Sequence, residues 1–133
     1  MAKNPTPEQI KTLLEGPADQ PVVMLNLLKF NRVAEGDESL TGAEAYGKYA
    51  KEMKKFVESK GGRFLWLGSA DSVVIGDTDE EFDAVGLVEY PSRKAFLEIA
   101  SSEKVKEIGT DRSAGLEHQW LIACTSGGIG EIS

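Results

Sequence analysis

Val22-Val23-Met24-Leu25-Asn26-Leu27-Leu28-Lys29-Phe30 is the stretch that decides the fold. Successive side chains of a strand point to opposite faces, so Val22, Met24, Leu28 and Phe30 share one face while Val23, Leu25 and Leu27 share the other. Both faces are apolar, and three later stretches repeat the pattern. A sheet with two apolar faces needs a cover on each. The helices in the chain suffice for one, which leaves the other for a second copy of the same chain.

Upstream, Thr6-Pro7-Glu8 opens a helix with a capping hydroxyl, a first-turn proline and an acid near the positive helix end. Ile10, Leu13 and Leu14 give it an apolar edge before Gly16-Pro17 ends it. Residues 1–20 thus form a helical extension to one domain spanning 1–133. Downstream, residues 31–40 read as a polar, acidic loop, and Thr41-x-x-Glu44 is a capping box that starts a long helix. Tyr46, Tyr49, Ala50, Met53, Phe56 and Val57 mark its buried face, and Gly61-Gly62 stops it. A second strand covers Arg63 to Gly68, and the pattern allows a continuation after a kink through Ser72-Val73-Val74-Ile75.

An acidic turn from Gly76 to Glu81 leads into a third strand from about Asp83 to Tyr90, which Pro91-Ser92 breaks. The next helix buries Ala95, Phe96 and Ile99, and a further helical piece from Glu103 to Ala114 sets Val105, Ile108 and Arg112 on one side. Gly115 ends it, the last strand runs from Glu117 to Cys124, and residues 127–133 read as a flexible tail. After the extension the order is β-α-β-β-α-β, which predicts a ferredoxin-like α+β fold with an antiparallel four-stranded sheet and both major helices on one face. The open face, still apolar, predicts a two-fold homodimer.

Composition narrows the function classes. With 133 residues, 41% hydrophobic and 28% charged, the chain is an ordinary globular protein. The run from Val22 to Leu28 is far too short to span a bilayer, and the polar start lacks the apolar core of a signal peptide, so a cytoplasmic location without membrane contact is expected. Fifteen Lys and Arg against 22 Asp and Glu give a net charge of −7, and glutamates interleave with the lysines of the long helix. Nucleic acid is therefore an unfavourable partner. One cysteine (Cys124) and one histidine (His118) make neither an internal disulfide nor a Cys/His zinc site, and no cofactor motif is present.

Met24 to Phe30, Tyr46-x-x-Tyr49, Gly61-Gly62-Arg63, Val88-Glu89-Tyr90-Pro91-Ser92-Arg93-x-Ala95-Phe96 and Arg112-x-Ala114-Gly115-Leu116 follow one another in a fixed order. This pattern resembles the proteins grouped as domain of unknown function 1330, within the dimeric α+β barrel superfamily. The resemblance implies a ferredoxin-like subunit whose sheet meets its partner's to form a barrel. It brings no activity, because the superfamily spans cofactor-free oxygenases, lactone isomerases, haem-degrading enzymes and proteins without known chemistry.

Candidate site residues are polar groups where apolar ones fit the pattern. Asn26 shares a strand face with Met24 and Leu28, so its amide needs a protein partner or a ligand. Arg112 projects from an apolar helix stripe; Glu89 or Glu117 would make it a structural ion pair, and a ligand carboxylate would make it a binding residue. Tyr46 and Tyr49 either pack in the core or orient a carbonyl, and a nearby cation would make them more acidic. Lys29 reads as a snorkelling side chain, His118 as peripheral, and Cys124 as an inward-facing inert thiol beside Trp120 and Ile122. Asn26, Tyr46, Tyr49 and Arg112 are expected to line a pocket between sheet and long helix for a small, partly apolar molecule with a carbonyl or carboxylate, without a cofactor. The alternative is a non-catalytic homodimer whose polar core groups serve structure only.

Overall fold

A computed structural model describes residues 3–77 and 81–127. Its elements are α1 (Pro7–Leu14), β1 (Val22–Phe30), α2 (Gly42–Ser59), β2 (Arg63–Ser69), β3 (Ala84–Tyr90), α3 (Arg93–Ala100), α4 (Glu103–Gly115) and β4 (Leu116–Cys124). The strands form one antiparallel sheet in the order β2-β3-β1-β4. With α1 set aside, this is the ferredoxin-like α+β order, its second helical segment divided into α3 and α4. Side-chain oxygens of Thr6, Thr41, Ser92 and Ser102 cap the four helices, and Gln9 and Glu44 complete capping boxes on α1 and α2.

Register sorts the two faces of the sheet. Met24 pairs with Val88 and Ala123, Asn26 with Gly86 and Leu121, and Leu28 with Ala84 and Gln119. Cross-strand partners share a face, and this face meets the helices. Val22, Met24, Tyr49, Met53, Val57, Val88, Tyr90 and Ile99 form its buried core.

The helices are locked at one corner. A Cβ on Gly115 would lie 2.4 Å from the Gly42 carbonyl oxygen and 2.7 Å from the Tyr46 nitrogen, so α4 can cross the start of α2 only without a side chain there. Asn31, just beyond β1, clamps the same junction. Its backbone N–H donates to the Gly115 carbonyl (2.7 Å), and its Nδ2 donates to those of Ala114 (3.0 Å) and Leu116 (3.2 Å). This corner fixes the positions of Tyr46 and Arg112.

The other face carries Val23, Leu25, Leu27, Val85 and Leu87, none of which belongs to the core cluster. Trp120, Ile122 and Cys124 do share a face, but it is this uncovered one, because they pair with Leu27, Leu25 and Val23. Trp120 is 44% exposed and Ile122 42%, so the thiol sits half-buried on the open side and not in the core. His118 is buried instead of peripheral: Phe82 packs against it and against Trp120, each at 5.4 Å between ring centroids. The continuation of β2 does not form. Its pairing with β3 ends at Ser69 opposite Ala84, and Val74 and Ile75 beyond it are 89% and 95% exposed. Residues 78–80 of the acidic turn, and the tail after Gly127, lie outside the described residues. Among the described residues no helix is long and apolar enough to cross a membrane.

Candidate functional site

A cleft of about 1350 Å³ lies between the helix-covered face of the sheet and α2, α3 and α4. The segment from Lys3 to Leu13 forms a further wall, and edge strand β4 borders it with Leu121 and Ala123 exposed. Asn26, Tyr46, Tyr49 and Arg112, each singled out in the sequence, all line this cleft, together with Tyr90 and Gln119.

Arg112, in the last turn of α4, donates from Nη2 to Oε1 of Gln119 (2.6 Å) and to the Lys3 carbonyl. Neither glutamate offered by the sequence as a partner pairs with it. Glu89 is across the sheet, where Arg63 donates to it at 2.9 Å, and Glu117 falls at the irregularity where Lys29 and Phe30 pair with His118 and Leu116. Nε and Nη1 of Arg112 donate to no described residue.

Gln119 is the residue that sequence reasoning misses. Its Nε2 donates to Oδ1 of Asn26 (2.8 Å), while Asn26 Nδ2 donates to the carbonyls of Met24 (3.2 Å) and Gly86 (3.5 Å). The Asn26 amide is therefore spent on protein atoms and aims Gln119 at the guanidinium. The β1–β4 register reveals this partnership, and no local signal in the sequence encodes it.

Phe30, Tyr46 and Tyr49 pack in succession with tilted rings, at 5.4 and 5.3 Å between centroids. Among the described residues, nothing hydrogen-bonds the hydroxyls of Tyr46, Tyr49 or Tyr90. Burial pushes all three phenols above their ordinary range and outweighs the opposing pull of Arg112 on Tyr46 and Tyr49. They are neutral hydrogen-bond donors, not incipient phenolates. Lys3, Arg93, Lys106 and Arg112 border the cleft against Glu8 and Glu35, so it is cation-rich in a chain of net charge −7. His118 and Cys124 lie on the opposite side of the sheet, as does Lys29, which pairs with His118. No three His, Cys, Asp or Glu side chains gather as a metal site among the described residues. A guanidinium with open nitrogens beside neutral phenols can hold a carboxylate or a polarised carbonyl oxygen.

Topology and cleft together define a ferredoxin-like α+β protein with a helix–sheet cavity. Residues 35–125 match the family described as Domain of unknown function (DUF1330), and the chain belongs to that family. A protein of unknown function from Rhodopseudomonas palustris has a similar structure, with a TM-score of 0.83 and 32% identity over 93% of this chain and 95% of that one. Its methylated form gives 0.84 and 33% over 96% of each chain. A hypothetical protein from Arabidopsis thaliana, with a TM-score of 0.54 and 16% identity over 86% of this chain and 95% of its own, shares the fold alone. No curated protein matches the chain.

Proposed function

We propose that the protein binds a small, partly apolar molecule bearing a carboxylate or carbonyl in the helix–sheet cleft. Arg112 takes the charged oxygen, and the phenols of Tyr46, Tyr49 and Tyr90 orient the molecule. Asn26 contributes by holding Gln119. The observation that carries this is the half-used guanidinium: among the described residues only Nη2 finds partners, and Nε and Nη1 find none, in a cation-rich cavity. The working unit is a homodimer joined through the open sheet face, whose exposed Trp66, Trp120 and Ile122 form an apolar surface that water disfavours. The compartment we assign is the cytoplasm, where a lone half-buried cysteine stays reduced.

A non-catalytic homodimer with purely structural polar groups is the second reading, favoured by the complete pairing of Asn26 with protein atoms. Thermal-shift screening with aromatic and aliphatic acids separates the two. The binding reading expects wild type to be stabilised by a subset of acids and Arg112→Ala by none of them. Identical responses of both proteins would remove Arg112 from the site.

A further inference from the structure

The hydrogen-bonded trio of Arg112, Gln119 and Asn26 sits at one end of the cleft, whose border also carries Tyr90, Arg93 and Lys106. Arg112, Gln119 and Asn26 meet near the level of Leu28 on β1, whereas Met24 and Ala123 pair further along the sheet and Phe96 and Leu97 border the same stretch. Ala123 lies four steps beyond Gln119 on β4, about 13 Å at a strand rise of ~3.3 Å per residue. Beyond it Arg93 is already occupied, its Nη1 donating to the Leu13 carbonyl (3.1 Å) and its Nη2 to Thr125 Oγ1 (3.1 Å). The distal end thus offers a largely apolar trough whose bordering cations are engaged by protein atoms, Lys106 being paired with Glu103 at 3.4 Å. The cavity, at about 1350 Å³, also exceeds the ~300–1,000 Å³ that usually suffices for a drug-sized ligand.

The present partner of Arg112 points the same way. Lys3 contributes a neutral backbone oxygen from a segment whose helix, α1, has no buried residue. A carboxylate oxygen makes a charge-assisted bond at that position, stronger than the carbonyl's.

Building on the carboxylate site above, we propose that the cleft takes an amphipathic monocarboxylate. Its head group replaces the Lys3 carbonyl on Nη2 of Arg112 and takes the open Nε beside it, and its extended apolar body lies along Met24, Ala123 and Phe96 beneath α1. A span of about 13 Å matches the reach of roughly ten carbons.

Isothermal titration of the full chain with butanoate, hexanoate, octanoate and decanoate, with decanol as the uncharged control, tests this. Affinity is expected to rise about fourfold per added methylene, and decanol to bind at least about tenfold more weakly than decanoate. Arg112→Gln should erase the advantage of decanoate over decanol. Ala123→Arg, a change at an exposed position that fills the distal trough, should weaken decanoate at least about tenfold and leave butanoate unchanged. Equal affinity for butanoate and decanoate, or an unaffected decanoate in Ala123→Arg, overturns the extended body while the carboxylate site stands. Decanol equal to decanoate overturns the head-group assignment. Failure of every carboxylate to bind overturns the site itself.

Discussion

Gly115→Ala probes the corner that sets the cleft. The added Cβ would sit 2.4 Å from the Gly42 carbonyl oxygen and 2.7 Å from the Tyr46 nitrogen, where ordinary contact begins at 3.4 Å. The helices would have to part by about 1 Å, because both neighbours are backbone atoms with no rotamer to swing aside. Such overpacking costs about 1–3 kcal/mol, and the ~1 kcal/mol that alanine gains over glycine in a helix interior is diminished at the last residue of α4. We expect a net loss of about 2 kcal/mol, which lowers the urea midpoint by roughly 1.3 M for an m-value of about 1.5 kcal/mol/M. Gly109→Ala is the internal control: it lies in the same helix with nothing within 4 Å of its added Cβ. It should gain about 0.5–1 kcal/mol and raise the midpoint. Unfolding followed by circular dichroism at one protein concentration keeps any contribution from association equal. Midpoints that move in the same direction for both variants would refute the close crossing of α2 and α4.

Ile122→Arg, on the uncovered face, should convert a species of twice 14.4 kDa into one of 14.4 kDa by light scattering, and a wild type that is already monomeric would remove the dimer. Burial raises the phenols of Tyr46, Tyr49 and Tyr90 above their ordinary value of 10.0, so the unfolded chain loses these protons first. The folded state then binds more protons, and stability is full below about pH 10 and falls as pH rises beyond it. Tyr49→Phe should make that fall shallower, measured as urea midpoints at about pH 9 and about pH 11; an unchanged slope would show that its hydroxyl is already hydrated. Arg93→Ala removes the bonds by which α3 holds Leu13 of α1 and Thr125 just past β4. Trypsin should then cut at Lys11 faster while global stability changes by less than about 1 kcal/mol, and unchanged cleavage would mean that α1 is held by its apolar edge alone.

The element order is legible in the sequence because its signals are local. Thr41 and Glu44 cap a helix whether or not the rest of the chain is folded, and Pro91-Ser92 ends a strand for the same reason. The placement of Arg112 is legible too, since helical spacing from Val105 and Ile108 carries it to the cleft side. Pairing between strands is not local. Without the β1–β4 register, Gln119 cannot be matched to Asn26, and Trp120, Ile122 and Cys124 read as an inner face when they lie on the open one. His118 shows a further layer, buried by Phe82 from the loop before β3, a contact no spacing rule anticipates. The partner of Arg112 from Lys3 lies 109 positions away and is a backbone group, which has no sequence signature at all.

What distinguishes Arg112 from an arginine held in an internal ion pair is the disposition of its donors. A guanidinium has five N–H groups, and Arg112 directs those of Nη2 to Gln119 and the Lys3 carbonyl, both neutral acceptors. The chain holds 22 carboxylates against 15 Lys and Arg, so internal anions are in excess. Yet Glu89 turns to Arg63 on the far side of the sheet, and Glu117 sits where the strand pairing is irregular. A half-buried cation that faces a cavity with neutral acceptors only is less stable than one with an anion at hand. An incoming carboxylate relieves that deficit, and a neutral isostere of the same shape does not. Discrimination between the two follows from charge, because the neutral isostere brings no anion to the guanidinium.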